Sequence, residues 1–157
     1  MTGVQTCALP IVVAGQTGGQ TFTVNYTNSD GVSGRITPPV IMSTQALNGT
    51  VLHSQSSGAD RGGPFLPLQG NDSGVRSVQS VTIGGVGDVG LFSLVMVKPL
   101  ATLALRGIDA PTEVDYLTDC GTSLPNIVDD AYLNFVVLPV GTLAAAQILG
   151  TIETTWG

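Results

Sequence analysis

The chain has 157 residues, 43% of them apolar and only 10% charged; that is enough apolar material for one core-bearing domain, with far less charge than the roughly one-quarter share of an ordinary soluble protein. The 11 acids outnumber four Arg and one Lys, giving a formal net charge of −6. The cations Arg35, Arg61, Arg76, Lys98 and Arg106 stand singly along the chain, which argues against the clustered basic surface that displaces counterions from nucleic acid.

Residues 1–11, Met-Thr-Gly-Val-Gln-Thr-Cys-Ala-Leu-Pro-Ile, resemble in order a translated short-read sequencing adapter with a GTG codon read as the start. A degenerate signal peptide is the competing reading, but there is no basic n-region and the apolar stretch is too short. Residues 1–11 are therefore expected to lie outside the fold, with the natural protein extending further N-terminal and the sequence coming from an assembled environmental sample. With Cys7 set aside, Cys120 stands alone, so no intrachain disulfide and no oxidising compartment is implied.

Residues 12–157 read as a single domain. Residues 11–14 are expected to be the first arm of a hairpin that turns at Thr17-Gly18-Gly19. In Thr21-Phe22-Thr23-Val24-Asn25-Tyr26-Thr27 every apolar residue falls on an even position, which puts Phe22, Val24 and Tyr26 on one face of a half-buried strand. Asn28-Ser29-Asp30-Gly31 is the next turn signal. A short strand is expected near residues 35–37, stopped or confined to an edge by Pro38-Pro39. Residues 45–52 suit another strand. Residues 53–72 are rich in Ser, Gly, Pro and Gln with little periodicity; a loop this long is unusual in a compact domain and is often functional or disordered.

His53 is the single histidine, so any Ser-His-Asp triad would need it. No strand-turn-helix elbow presents a nucleophile beside it, and it reads as an ordinary loop residue. Cys120 has no recognisable orienting partner and reads as a small core or loop residue. No catalytic residue is assigned, and substituting His53 or Cys120 is expected to leave function intact. The sequons at Asn25, Asn48 and Asn71 are of the kind that chance produces in so Thr-rich a chain.

Regular structure is expected again over residues 75–83. Arg76 interrupts an otherwise uncharged strand and calls for a partner or an exposed face; a structural ion pair is preferred to ligand binding, with Asp72 or the later acids as candidate partners. Gly85-Val86-Gly87-Asp88-Val89-Gly90 has the form G-x-G-x-x-G, and Asp109 follows about twenty residues on. A dinucleotide site needs a helix next, so that the phosphate meets its N-terminus. Strand-like Leu91-Phe92-Ser93-Leu94-Val95-Met96-Val97 follows instead, so a Gly-rich loop between two strands is expected and no cofactor. That stretch is apolar on both parities, as in a strand covered on both faces. It is also far short of the roughly 18 residues a membrane-spanning helix needs.

Residues 100–105 are read as a further strand after Pro99. The acids Asp109, Glu113, Asp115, Asp119, Asp129 and Asp130 form one acidic region. It lacks the D-x-D-x-D-G arrangement that converges oxygens on calcium, and no metal site is assigned. Residues 131–140 alternate Leu133, Phe135 and Val137 against Tyr132, Val136 and Leu138, and Ile148, Ile152 and Trp156 share a parity. Short helices are conceivable only over residues 126–132 and 142–149. Seven to nine short strands spaced by Gly, Pro and Asn turns point to an all-β antiparallel sandwich, jelly-roll-like, with at most one or two short helices.

Three stretches carry a resemblance: Asp72-Ser73-Gly74-Val75-Arg76-Ser77-Val78-Gln79-Ser80-Val81-Thr82, then Leu91-Phe92-Ser93-Leu94-Val95-Met96-Val97-Lys98-Pro99-Leu100-Ala101, then Leu124-Pro125-Asn126-Ile127-Val128-Asp129-Asp130-Ala131-Tyr132-Leu133. Together they resemble a family of virion structural proteins of tailed bacteriophages. The resemblance spans roughly residues 70–157, in patterns of small and apolar residues without a chemical signature. It implies a non-catalytic subunit of the virion, on capsid or tail, present in many copies and contacting itself and other virion proteins.

A homo-oligomer, a ring or trimer, is expected, and the residues expected at its assembly interface are Phe92, Leu94 and Met96 on one strand and Tyr132 and Val136 on the other. Both stretches are apolar on two faces, the chain has few helical segments to cover them, and Lys98 is the single lysine that could block an edge. The alternative reading is a carbohydrate-binding or adhesin β-sandwich module. It would need an exposed aromatic platform from Tyr26, Tyr116, Tyr132 or Trp156, and aromatics are only 5% of the chain.

Overall fold

A computed structural model describes residues 6–14, 20–41, 55–56, 63–85, 90–105, 110–116, 118, 126–137 and 148–154. In it the alternation of Thr21–Asn28 becomes β2, the central strand of a five-stranded sheet. Its even positions Phe22, Val24 and Tyr26 are all but fully buried and its odd positions, all Thr or Asn, are half-buried. Burying each such side chain is worth about 1.5–3 kcal/mol, which is why the pattern holds the strand in register.

One flank of β2 is filled by two short strands, β3 (Arg35–Ile36) and β4 (Val40–Ile41). β3 pairs with Asn25 and Tyr26, and β4 with Thr21 and Phe22. Pro38 and Pro39 break what would otherwise be one strand, because proline has no N–H to give the ladder. Thr37 repairs the gap: its N–H donates to the Val24 carbonyl and its Oγ1 accepts the Val24 N–H, both at 3.0 Å. The turn at Asn28-Ser29-Asp30-Gly31 forms as expected. The N–H of Asn28 donates to the Val32 carbonyl at 3.0 Å, the Val32 N–H donates to Asn28 Oδ1 at 2.8 Å, and Gly31 takes φ +85°. A further two-residue strand, β5 (Gln55–Ser56), pairs with β4.

The other flank of β2 carries β6 (Val75–Gly84), antiparallel along its whole length. Asn25 pairs with Ser80 but Tyr26 with Val78, and Thr27 pairs with Ser77 but Asn28 with Val75. Gln79 and Arg76 are therefore extra residues, two bulges in the first half of β6. Residues 80–84 run without one.

A second, two-stranded sheet joins β1 (Cys7–Ala14) to β7 (Leu91–Val97), antiparallel, from Cys7 opposite Val97 to Val12 opposite Phe92. On the far edge of β1 the Thr6 and Ala8 carbonyls accept the N–H groups of Val75 and Leu66, at 2.8 and 3.0 Å. The two sheets face each other across one core of Ala8, Phe22, Val24, Val40 and Leu66, against which Val78, Phe92 and Leu94 pack. The Gly-rich segment after β6 leads into β7 and not into a helix, so the chain crosses there from one sheet to the other. The fold is all-β and antiparallel, with no helix among the described residues.

Several expectations are corrected. Residues 7–11 are not outside the fold: they form most of β1, and Ala8, Leu9 and Pro10 are buried. The alternation that makes this possible is present in the segment itself, with Ala8, Pro10 and Val12 on one parity. Residues 11–14 are not the hairpin arm of β2 but pair with β7. Residues 100–105 and 131–137 form no strand and, apart from half-buried Leu100, lie exposed; an alternating segment becomes a strand only where a neighbour accepts its backbone. Residues 126–132 hold a turn at Asp129-Asp130, closed by Ala131 N–H to the Val128 carbonyl at 3.0 Å, and no helix. The strand expected over residues 45–52, and residues 142–147 of the other expected helix, lie outside the described residues.

The chain divides into two compact units, Met1–Pro125 and Asn126–Gly157. Both sheets belong to the first. The second unit's described residues form neither strand nor helix and are almost all exposed.

Candidate functional site

Two features of the first unit bring chemically distinct side chains together. One is a polar cluster at the β2–β3 end of the large sheet. Asp72 lies in the loop before β6, and its carboxylate accepts four hydrogen bonds. Oδ2 takes Tyr26 Oη–H at 2.6 Å and Arg35 Nε–H at 2.8 Å; Oδ1 takes Asn28 Nδ2–H at 2.9 Å and Arg35 Nη2–H at 3.1 Å. The pairing with Arg35 is the bidentate fork that gives guanidinium–carboxylate pairs their geometric definition. Gln69 closes the cluster. Its N–H donates to Tyr26 Oη at 2.8 Å, its carbonyl accepts Arg35 Nη2–H at 3.2 Å, and its Oε1 accepts the Ile36 N–H at 3.0 Å.

The hydrogen bond from Arg35, then those from Tyr26 and Asn28, lower the Asp72 carboxyl from its ordinary value to about 2. Burial, and next the bond to Asp72, push the Tyr26 phenol up. A carboxylate offers about four acceptor positions, and all four are used. Asp72 therefore has no acceptor position left over for a cation. The cluster's work is to pin the loop of residues 69–72 onto β2 and β3. Of the two expectations for Arg76, the pairing with Asp72 is corrected, because Asp72 pairs with Arg35, and the exposed face is what Arg76 takes, at a bulge of β6.

The second feature is apolar. Val81 and Ile83 of β6 pair with Val24 and Phe22, so they share the core-facing side of the large sheet. Yet they are 38% and 44% exposed, because the two-stranded sheet does not cover this margin. The result is an open groove of about 220 Å³ lined by Val81, Ile83, Gly90, Leu91, Phe92 and Leu94.

Of the residues expected at an interface, Phe92 and Leu94 are half-buried on this groove and pack on the protein's own core. The Phe92 ring centroid lies 4.9 Å from that of Phe22. Met96, on the same parity of β7, is 38% exposed. Tyr132 and Val136 belong to the second unit and are 90% and 45% exposed. Val81 and Ile83 escaped the sequence reading. Their alternation was legible, but that the inner face of β6 overhangs the smaller sheet was not.

His53, Cys120, Asp109 and Asp119 lie outside the described residues. Glu113, Asp115, Asp129 and Asp130 are exposed, and no group of three metal-ligating side chains occurs among the described residues. Cys7 is a free, half-buried thiol whose pKa burial pushes up, the opposite of an activated nucleophile. No helix among the described residues is long and apolar enough to cross a membrane.

These features define an all-β protein of facing antiparallel sheets with an apolar groove at one margin. Compared with family models, with curated proteins and with solved structures, the chain matches none.

Proposed function

We propose that the protein is a non-catalytic structural subunit of a tailed-phage virion, located on capsid or tail and assembling with copies of itself and with other virion proteins. One observation carries the reading: large apolar side chains stand exposed on a weakly charged chain, both on strand β7 and in the second unit. Leu91 is 58% exposed, Phe135 62% and Leu149 88%. Contact with other subunits would remove these side chains from water, and low charge suits a subunit whose surface is covered after assembly. The resemblance of residues 70–157 to phage virion proteins supplies the setting.

Quantitative mass spectrometry of purified particles of the encoding phage tests the reading. The protein is expected in many copies per particle, and its absence from particles while the gene is expressed would refute it. The glycan-binding alternative has one observation in its favour, Tyr132 at 90% exposed. Saturable glycan binding lost in Tyr132→Ala would turn the argument toward it.

A further inference from the structure

Strand β6 is protected as a sheet edge over only half its length. Sheet edges avoid pairing with other chains by means of charges, prolines and bulges. The first half of β6 has Arg76 and two bulges, at Arg76 and Gln79. Residues 80–84, Ser-Val-Thr-Ile-Gly, have no charge, no proline and no bulge. Among the described residues β6 pairs with β2 alone. Ser80, Val81, Thr82 and Ile83 are all exposed, and the apolar groove opens beside this half and not beside the other.

The five residues are also self-complementary. Apolar Val81 and Ile83 flank Thr82 symmetrically and point to the core side, whereas Thr82, opposite Thr23, points to the outer side. Turned end for end about Thr82, the segment presents the same pattern, which is what a two-fold interface requires.

We propose that residues 80–84 of β6 pair antiparallel with the same residues of a second copy, about a two-fold axis at Thr82. Val81 then stands across from Ile83 of the other copy, and Ile83 from its Val81. Both are β-branched pairs of the kind that stabilise neighbouring strands. The two grooves close over these pairs. Neither the groove lining nor the docking segment carries a charge, so no unpaired ion is desolvated on contact. The groove is small and open, so the apolar area it contributes falls well short of the roughly 1,200 Å² total of a standard stable interface. Main-chain ladder bonds add to it, and the dimer is expected to be weak and in fast exchange with monomer. The proposal rests on the assembly reading above and gives its first contact.

Sedimentation of the full chain over a concentration series tests it, with three variants. Wild type is expected as a reversible dimer. Thr82→Lys places two ammonium groups across the axis and should weaken the dimer by at least about tenfold. Ser77→Lys, in the protected half, should leave it unchanged. Thr82→Cys in a Cys7→Ser, Cys120→Ser background should form an intermolecular disulfide on mild oxidation, because Cα atoms of directly opposed antiparallel residues lie about 4.5–5.5 Å apart.

A wild type monomeric at every concentration overturns the edge contact. So does a dimer that persists in Thr82→Lys and does not cross-link in Thr82→Cys. If Thr82→Lys loses its β circular dichroism, the cross-linking result decides alone. Particle composition is a separate readout: a protein abundant in particles but without this dimer refutes the edge and leaves the structural role standing.

Discussion

Replacing Tyr26 by Phe removes one oxygen from a fully buried ring and leaves its packing in place. That oxygen donates to the Asp72 carboxylate at 2.6 Å and accepts the Gln69 N–H at 2.8 Å. A hydrogen bond to a charged group is worth about 1.5–3 kcal/mol net, and a stranded buried N–H costs about 1–3 kcal/mol. The two do not simply add. Gln69 is exposed, so water can reach its amide, and Asp72 keeps Arg35 and Asn28. The expected loss is about 2 kcal/mol, which for a chain of this length lowers Tm by about 4–8 °C. Urea unfolding should show a lower midpoint with an unchanged slope, since the surface exposed on unfolding is the same. Asp72→Asn combined with Tyr26→Phe should cost less than the sum of the two, because both break the same bond. A Tyr26→Phe protein within about 0.5 kcal/mol of wild type, the range of neutral surface changes, would refute the view that this cluster holds the loop of residues 69–72.

Three further outcomes are expected. The Asp72 carboxyl is held at about 2 in the fold, below the value near 4 of an unfolded chain; its stabilising effect is complete above about pH 4 and is lost as pH falls from there toward about 2. Thermal melts over that window should show a shallower fall in Tm for Asp72→Asn than for wild type, and parallel curves would count against the cluster. Leu9, 2% exposed in β1, should cost about 2–5 kcal/mol on change to Ala, whereas a melt unchanged by Leu9→Ala or by deletion of residues 1–11 would return that segment to the status its adapter resemblance suggested. Thr37→Val keeps the side-chain volume but strands the buried Val24 N–H, and should lower stability by about 1–3 kcal/mol by urea titration.

Local pattern alone determined much of this protein. The even-position run Phe22, Val24, Tyr26 and the turn at Asn28-Ser29-Asp30-Gly31 are decided within a few residues, by side-chain alternation and by backbone freedom at Gly31. The low charge and the weak edge protection are likewise properties of composition. The strand nature of β7, and so the rejection of a dinucleotide loop, followed from what comes after Gly90.

Pairing was decided only in three dimensions. Residues 7–14 and residues 131–137 both alternate, but only the first found a strand, β7, to accept its backbone, and a period of two does not name its neighbour. Asp72 could be assigned to Arg76 by nearness in sequence, yet Arg35 reaches it because the β2–β3 turn returns the chain beside the loop before β6. The groove exists because a two-stranded sheet faces a five-stranded one and leaves Val81 and Ile83 uncovered. That difference in width belongs to the packing of two sheets and to no single segment of the chain.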